Sequence, residues 1–462
     1  MYEASMTGKI VMTGELILDE PLLIGAGGTA QTGETDICVL RDKKGVPYIP
    51  GTSLAGVLRD FLRETEPVAA AMLFGTDRNE ADFIHAGRKL ELQSALSLED
   101  VKLSDARVVV RDGVSLDSAT GVALKHHKFD YEAVDSGAHG SFRLEATVRK
   151  LHDNYGETLD RGLELLRERL LGGFYVGART AKGVGRVHAK ELAFDRYDFS
   201  AAQDVLAWLG IGGERSLASF HKKYKGDGKP CYAPDDFWVE ADFALRSSLI
   251  VRDYEADEDG TAVMKQDSRN RFIIPGSSLK GVMRHRAEYI LGRLGKDMCL
   301  TEKVMGPSLA AMKERPNEAK RKSRFMIDEA VVQRSVVTSG CQSRNRIDRF
   351  TGGTVDTALF STKPVWQKES DETAVKLRFG VSRAEAWEAG LALLLLKDLW
   401  NGRVAVGGEK SIGRGVLKGR SARICYHGQT WQLAAGEKLS AEAESALQEL
   451  VDELVMMEGE AV

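Results

Sequence analysis

The acidic residue Asp36 lies in an open loop, where a carboxylate can do chemistry. It ends a loop of small and polar residues that begins near Leu23, and a β-rich run at residues 37–40 follows it. A carboxylate on an open loop can polarise a 2′-hydroxyl or hold a hydrated Mg²⁺. A loop aspartate also often accepts hydrogen bonds from its own backbone, and chemistry alone favours that structural role.

Three histidines, His126, His127 and His139, lie in or at the end of a long polar stretch at residues 115–139. Imidazoles can bind a metal or act as a general base. A metal site needs further ligands at a fixed spacing, and this stretch does not supply them. We therefore interpret it as a polar loop that faces a nucleic acid.

Two glycine-rich segments, residues 176–187 and 406–416, share one spacing of glycines. Neither contains the G-x-x-x-x-G-K-[ST] phosphate loop, so nucleotide triphosphate binding is not indicated. Glycines that let a nucleic-acid backbone approach closely are the favoured interpretation, and a glycine-rich hairpin between helix and strand is the alternative. The matching positions are Gly177, Gly183 and Gly185 in the first segment and Gly407, Gly413 and Gly415 in the second.

The overall charge does not mark a nucleic-acid binder. Lys and Arg number 64 and Asp and Glu 68, for a net charge of −4, but local patches matter more than the total. Three basic runs, at residues 125–128, 221–229 and 313–324, fall in predicted loops, which favours a surface that docks phosphates. The sequence lacks the aromatic signature of an RNA-recognition motif, so base stacking on a sheet is not expected.

The cysteines and apolar runs exclude several other classes. Five cysteines without a C-x-x-C pair indicate neither a zinc ribbon nor a disulfide framework. The first residues lack signal-peptide character, and the apolar run at residues 391–396 is too short to cross a bilayer and predicts a buried helix. We expect a reduced, cytoplasmic protein that does not bind a membrane.

One motif occurs twice and orders the chain. The pattern I-P-G-[ST]-S-L-x-G-V-[LM]-R, which we call the anchor, fills residues 49–59 and again residues 274–284, an offset of 225. Pro-Gly predicts a tight turn, and Ser53 or Ser278 is expected to cap the helix that follows. The free amides at the start of that helix favour an anion. The recurrence predicts a duplicated domain.

Each half shows the same order of predicted elements around the anchor. The order is strand, loop, anchor, helix, strand, long excursion, strand, helix and glycine-rich return, and both excursions contain a D-x-x-T-G core. A β-α-β-β-α-β order predicts an α+β fold of two tandem ferredoxin-like domains. We place the first domain at residues 1–200, a linker at 201–236 and the second domain at 237–462.

The anchor, the loop from Ile24 to Asp36 and the glycine-rich return together resemble the RAMP superfamily. The likeness covers nearly the whole chain, once in each half, and is nearest to the backbone subunits of type III CRISPR–Cas effector complexes. Two such domains in one chain resemble the fused double subunits of subtype D. The resemblance implies a modified ferredoxin-like (RRM/RAMP) core in each half, with the excursion inserted as a thumb β-hairpin.

The resemblance also implies a function. Each domain would grip CRISPR RNA through the anchor and the glycine-rich loop, and each thumb would wedge into the guide–target duplex. In the family, a loop aspartate cleaves target single-stranded RNA with a divalent metal and leaves a 2′,3′-cyclic phosphate. Asp36 matches that residue, which assigns it both catalysis and the binding of Mg²⁺ or Mn²⁺. The implied partners are CRISPR RNA, target single-stranded RNA and other type III effector subunits.

The second half departs from the pattern at the catalytic position. Asp36 lies 14 residues before Pro50, and the same step back from Pro275 reaches Thr261. Asp257 and Asp259, in an acidic loop nearby, are weaker candidates for a second cutting site. The residues expected to bind RNA are Gly25, Gly27, Gly28, Ser53, Lys125, Arg179, Lys182, Ser277, Ser278, Lys280, Arg284, Arg344, Arg346, Lys410 and Arg414.

Two other functions stay open. The chain can be a non-catalytic RNA-binding scaffold of the same complex, which loss of cleavage on replacing Asp36 would distinguish from the nuclease. It can also be a nuclease that processes CRISPR RNA precursors, for which His126 and His127 are the candidate residues.

Overall fold

The computed structural model describes residues 5–457 except 28–34, 77–82, 86–87, 117–121, 212–219, 230–232, 234, 254–259, 309–310, 313–321 and 371. The chain divides into two compact units. Unit 1 comprises residues 1–110, 131–180 and 185–231, and unit 2 comprises residues 111–130, 181–184 and 232–462. The domain boundaries drawn from the sequence, with a linker at 201–236, stay a prediction.

The first half contains both strands and helices. The strands are β1 (Met6–Leu18), β2 (Tyr48–Ile49), β3 (Phe83–His85), β4 (Arg88–Leu90), β5 (Leu96–Leu98), β6 (Val101–Lys102), β7 (Val108–Leu116), β8 (Ala123–Val134), β9 (His139–Arg149), β10 (Phe174–Tyr175), β11 (Arg186–Asp198) and β12 (Phe220–Lys225). The helices are α1 (Gly51–Thr65), α2 (Pro67–Phe74), α3 (Lys150–Asp153), α4 (Gly156–Gly172) and α5 (Ala202–Trp208).

The second half follows a similar order. Its strands are β13 (Phe237–Leu245), β14 (Ala262–Val263), β15 (Phe272–Ile274), β16 (Phe325–Ile327), β17 (Ala330–Val332), β18 (Val337–Ser339), β19 (Gln342–Arg344), β20 (Phe360–Lys363), β21 (Val365–Gln367), β22 (Val375–Val381), β23 (Leu417–Tyr426) and β24 (Gln429–Ala434). Its helices are α6 (Gly276–Arg293), α7 (Leu300–Met305), α8 (Ala386–Trp400) and α9 (Ala441–Met456).

The main sheets of the two units share one order of strands. In unit 1 the order is β11-β1-β9-β5, and in unit 2 it is β23-β13-β22-β16, with every neighbouring pair antiparallel. An outer strand, β12 or β24, pairs with the β11 or β23 edge. The structure is therefore a mixed α/β protein, rich in antiparallel sheet, whose two units repeat the same layout.

Apolar side chains at regular spacing join the helices to these sheets. Helix α1 buries Leu54, Leu58 and Leu62, which lie four residues apart on one face. Strand β1 buries Ile10 and Met12 completely. In unit 2 the apolar run at 391–396 lies within α8 and contributes to the core, as the sequence predicted. No helix among the described ranges is long and apolar enough to span a membrane.

The anchor begins its helix earlier than predicted. Pro50 and Pro275 are the N-cap residues, so the expectation that Ser53 or Ser278 caps the helix is wrong: both lie in the first turn. In α1 the cap comes from elsewhere, because the Gly51 amide donates to Asp100 Oδ1 at 2.8 Å. Gly51 is required by crowding, since a Cβ there would lie 2.3 Å from the Leu98 carbonyl oxygen.

Two of the basic runs lie in strands, which corrects the prediction that they occupy loops. Residues 125–128 belong to β8, and the first part of the run at 221–229 belongs to β12, which pairs with β11. Lysines are common on edge strands, where they prevent unwanted strand pairing. Local composition alone does not distinguish such a strand from a basic loop. Most of the run at 313–324 lies outside the described residues.

Candidate functional site

Asp36 is an exposed residue at a bend, held in place by the backbone that follows it. The Ala26 amide donates to the Cys38 carbonyl at 3.0 Å, and the Leu40 amide donates to the Ile24 carbonyl at 2.8 Å. These two hydrogen bonds fix the segment after Asp36 against the segment that precedes the loop. The carboxylate therefore stands on the surface of unit 1 beside an ordered stretch of backbone.

Tyr131 of strand β8 contacts both the segment that follows Asp36 and the first glycine-rich return. Ile37 forms a bridge with Tyr131, a residue that is 4% exposed, and the Arg179 guanidinium lies 4.2 Å from the centre of the Tyr131 ring. Burial lowers the pKa of Arg179, and Tyr131 acts in the opposite direction. Tyr131 thus contacts both the Arg179 guanidinium, through its ring, and the residue that directly follows Asp36, through its backbone.

Glu132, next to Tyr131, is an acid with a structural role. Its carboxylate accepts from the Val39 amide at 2.9 Å and pairs with Arg41 at 2.9 Å. Burial alone would raise the pKa of Glu132, but the bonds from Arg41 and Val39 hold it below its usual value. Among the described residues, no group of three or more His, Cys, Asp or Glu side chains is arranged to hold a metal.

Unit 2 repeats this backbone frame without the acid. The Asp253 amide donates to the Val263 carbonyl at 3.1 Å and the Lys265 amide to the Val251 carbonyl at 2.7 Å, as Ala26 and Leu40 do in unit 1. Val263 therefore takes the place of Cys38, and the place of Asp36, two residues earlier, falls on Thr261, which is 6% exposed. Asp257 and Asp259 lie outside the described residues.

The two glycine-rich returns have the same backbone, which explains the shared glycines. All six matching glycines have φ between 71° and 93°, where side chains are strained, and each return contains a short 3₁₀ turn. A non-glycine residue two positions after the first glycine is also left-handed in both returns. It is Arg179 in unit 1, at φ 61°, and Glu409 in unit 2, at φ 55°.

Two of the predicted RNA-binding residues bond to main-chain carbonyls within unit 2. Lys280 is 5% exposed, and its ammonium bonds the Ala181 carbonyl at 3.2 Å and the Phe325 carbonyl at 2.9 Å. Desolvation, followed by the charges of Lys182 and Arg284, lowers the pKa of Lys280 to about 6. Arg284 is half-buried and donates to the Met305 carbonyl at 3.0 Å. Lys280 is therefore buried, whereas Arg284 stays partly exposed.

The remaining predicted residues are distributed over both units. Gly25, Gly27, Lys182, Arg346 and Lys410 are exposed, and Ser53, Ser277 and Ser278 are half-buried. Arg344 and Arg414 are both bound to Glu409. Gly28 and the side chains of Lys125, His126 and His127 lie outside the described part of the structure. His139 begins β9 and lies 3.8 Å from Glu15.

Sequence reasoning missed Tyr131 and Glu409. Nothing in the local sequence distinguishes Tyr131, because its role arises from contacts with distant residues. Glu409 could have been found by aligning the two returns, since it lies as far after Gly407 as Arg179 lies after Gly177.

A family model described as the RAMP superfamily matches residues 15–188 and again residues 243–418. The two matched regions cover most of the chain and contain both anchors, both returns and the loop that ends at Asp36. A comparison with curated proteins finds no match.

Proposed function

The chain belongs to the RAMP superfamily, and we propose that it is a fused double-domain backbone subunit of a type III CRISPR–Cas effector, of the form found in subtype D. Membership of the family indicates a CRISPR-associated RNA-binding subunit that works within a multi-subunit complex. The two matched regions and the repeated strand order support a double subunit. CRISPR RNA, target single-stranded RNA and other effector subunits are its proposed partners.

We further propose that each half of the chain has a ferredoxin-like core with a thumb. The β-α-β-β-α-β order and the antiparallel strand order in each main sheet, in which the first and third strands are central, support this assignment. The hairpin of β7 and β8 is the proposed first thumb, and the strands between β18 and β21 form the second.

The proposed reaction is cleavage of the target RNA at unit 1. The observation that supports it is the exposed position of Asp36. The ribose 2′-oxygen attacks the adjacent phosphorus, the bond from phosphorus to the 5′-oxygen breaks, and a 2′,3′-cyclic phosphate remains. Asp36 takes up the proton of the 2′-hydroxyl, and solvent protonates the leaving 5′-oxygen. The guanidinium of Arg179, which lies on the Tyr131 ring, is the proposed cation that attracts the phosphate.

The Asp36 carboxylate is chemically suited to be one ligand of Mg²⁺ or Mn²⁺, with the other ligands supplied by water and RNA. Mg²⁺ keeps several waters and is often bound through one or two carboxylates together with substrate phosphates, so a single exposed carboxylate is sufficient. A bound divalent ion supplies positive charge to the phosphate that is attacked. Because the described residues form no closed cluster of ligands, RNA oxygens would complete the site.

The test is a cleavage map of the reconstituted complex. The complex is loaded with a guide and an end-labelled complementary RNA, and the cuts of wild type, Asp36→Ala and Thr261→Ala are compared with and without a chelator. We expect Asp36→Ala to remove one metal-dependent cut and Thr261→Ala to remove none. If Asp36→Ala keeps every cut while the complex still assembles, unit 1 is a scaffold. The presence of Thr261 in place of Asp36 favours a scaffold role for unit 2.

A further inference from the structure

Three arginines of unit 2 converge on one carboxylate, that of Glu409. Arg252 donates to Glu409 Oε1 at 2.7 Å, and Arg344 donates to Glu409 Oε2 at 2.5 Å. The Nε of Arg414 lies 3.0 Å from the same Oε2 atom. Burial alone would raise the pKa of Glu409, but the bonds from Arg344 and Arg252 and the charge of Arg414 hold it below its usual value. The cluster is therefore three cations held by one anion.

The cluster keeps unused capacity for a second anion. Three guanidinium charges against one carboxylate leave an excess of two positive charges. Arg414, which is 3% exposed, has a buried N–H at Nη1 that finds no acceptor in the described structure. Arg344 has a buried N–H of the same kind at Nε. Buried charged donors without acceptors are uncommon, because each such group loses its hydration without compensation.

The cluster reaches the protein surface on one side. The side chain of Arg252 is 56% exposed and that of Arg344 is 29% exposed, whereas Arg414 and Glu409 lie beneath them at 4% and 11%. The guanidinium of Arg344 also lies 5.3 Å from the centre of the Phe360 ring, and Phe360 is 47% exposed. A site with arginines beside an open aromatic ring suits single-stranded nucleic acid, whose phosphates bind the cations and whose bases stack on the ring.

We propose that Arg252, Arg344 and Arg414 form a binding site for one RNA phosphodiester, and that Glu409 is the positioning residue that holds the three guanidiniums together for it. This inference rests on the proposed RNA-binding function. The carboxylate is the more buried partner, at 11% exposure, and the phosphate would approach the exposed parts of the Arg252 and Arg344 side chains. Without Glu409 the three like charges repel one another and separate.

Unit 1 builds the corresponding position differently. Arg179 holds the left-handed place that Glu409 holds in unit 2, and its guanidinium lies on Tyr131. One cation is supported there by an aromatic ring, whereas in unit 2 three cations are supported by an acid. An acid in a proposed RNA-binding loop is unexpected on charge alone, and the positioning role accounts for it.

The sign of the effect of Glu409→Gln tests the proposal. The substitution raises the net charge by one, which by simple attraction would tighten RNA binding. The positioning role predicts the reverse: a several-fold weaker affinity and a slope of log K against log salt that is shallower by about 0.7 per lost phosphate contact on a single strand. The assay is fluorescence anisotropy of the full chain with a fluorescein-labelled single-stranded RNA, over a range of salt concentrations.

Two further variants complete the experiment. Glu437→Gln, at an exposed position after β24, makes the same change in charge and is expected to leave binding unchanged or slightly tighter. Arg252→Gln removes one exposed donor, keeps the other two bonds to Glu409 and is expected to weaken binding and lower the salt slope. Circular dichroism confirms that each variant is folded.

The outcomes separate this inference from the function on which it rests. If wild type binds RNA and Glu409→Gln binds as tightly or more tightly, the positioning role is refuted. If Arg252→Gln leaves both affinity and salt slope unchanged, the phosphate site is refuted. If the wild-type chain, alone and in the reconstituted complex, binds no RNA, the proposed function itself fails.

Discussion

Replacing Lys280 with Met should make the stability of unit 2 less dependent on pH. The ammonium is 5% exposed, and the pKa of Lys280 falls from 10.5 to about 6, first because of desolvation. Between these two values an unfolded chain keeps the proton and the folded protein releases it. The unfolded state then binds more protons, so the stability of wild type rises with pH, by about 1.4 kcal/mol for each pH unit.

The expected magnitude follows from that slope. Lys280→Met removes the titrating group, so its advantage over wild type should shrink by about 2.7 kcal/mol between pH 7 and pH 9. The lost hydrogen bonds to the Ala181 and Phe325 carbonyls and to Ser323 Oγ add an offset that does not vary with pH, because none of these three acceptors titrates. Contributions from all other groups cancel in the difference between the two proteins.

Tryptophan fluorescence during urea unfolding provides the assay. Of the six tryptophans, Trp208 lies in unit 1 and the other five lie in unit 2, so Trp208→Phe in both proteins leaves a signal specific to unit 2. Lys418→Met, at an exposed position in β23, is the matched control, and its difference from wild type should stay constant. A constant difference for Lys280→Met would refute the reasoning, since it would mean that the folded protein keeps the charged ammonium.

Two further predictions concern the backbone. Gly183→Ala should destabilise unit 2 more than Gly413→Ala in thermal unfolding. Both glycines are left-handed, so both substitutions carry a backbone penalty of about 1–2 kcal/mol. At Gly183 a Cβ would also lie 2.4 Å from the Glu329 amide nitrogen, whereas at Gly413 nothing lies within 4 Å. Equal losses would contradict the close contact. Asp100→Ala should destabilise α1 by about 1 kcal/mol, because the Gly51 amide loses its acceptor. Hydrogen exchange in the first turn of α1 should become faster. Unchanged exchange would show that Asp100 is not the cap.

The repeated features of the fold could be predicted because they depend on local backbone chemistry. The anchor and the glycine spacing occur twice, and the structure shows why: the matching glycines are left-handed, and Gly51 is crowded by a carbonyl. Lys280 could not be predicted as buried. It stands at the variable position of the anchor, and lysine side chains are rarely buried. Its burial depends on contacts with Ala181 and Phe325, which are distant in sequence.

The same limit explains the misplaced cap and the misplaced basic runs. Ser53 matched a capping pattern, but the acceptor at the start of α1 is Asp100, 49 residues after Gly51. The run at 221–225 has the composition of a loop, yet it pairs with β11 because that edge of the sheet is open to a further strand. Composition and local pattern do not contain information about such long-range partners.

The two units keep one backbone frame and differ in chemistry at equivalent positions. The frame is kept where φ or crowding demands glycine and where main-chain bonds fix the loops, because a change there strains either unit. Side chains at the open positions are free to differ: the place of exposed Asp36 holds buried Thr261, and the place of Arg179 holds Glu409. The Thr261 side chain is buried in unit 2, and the Glu409 carboxylate is held by arginines of the same unit. These differences are consistent with the proposed division of labour, in which unit 1 would cleave the RNA and unit 2 would hold it through arginines that an acid keeps in place.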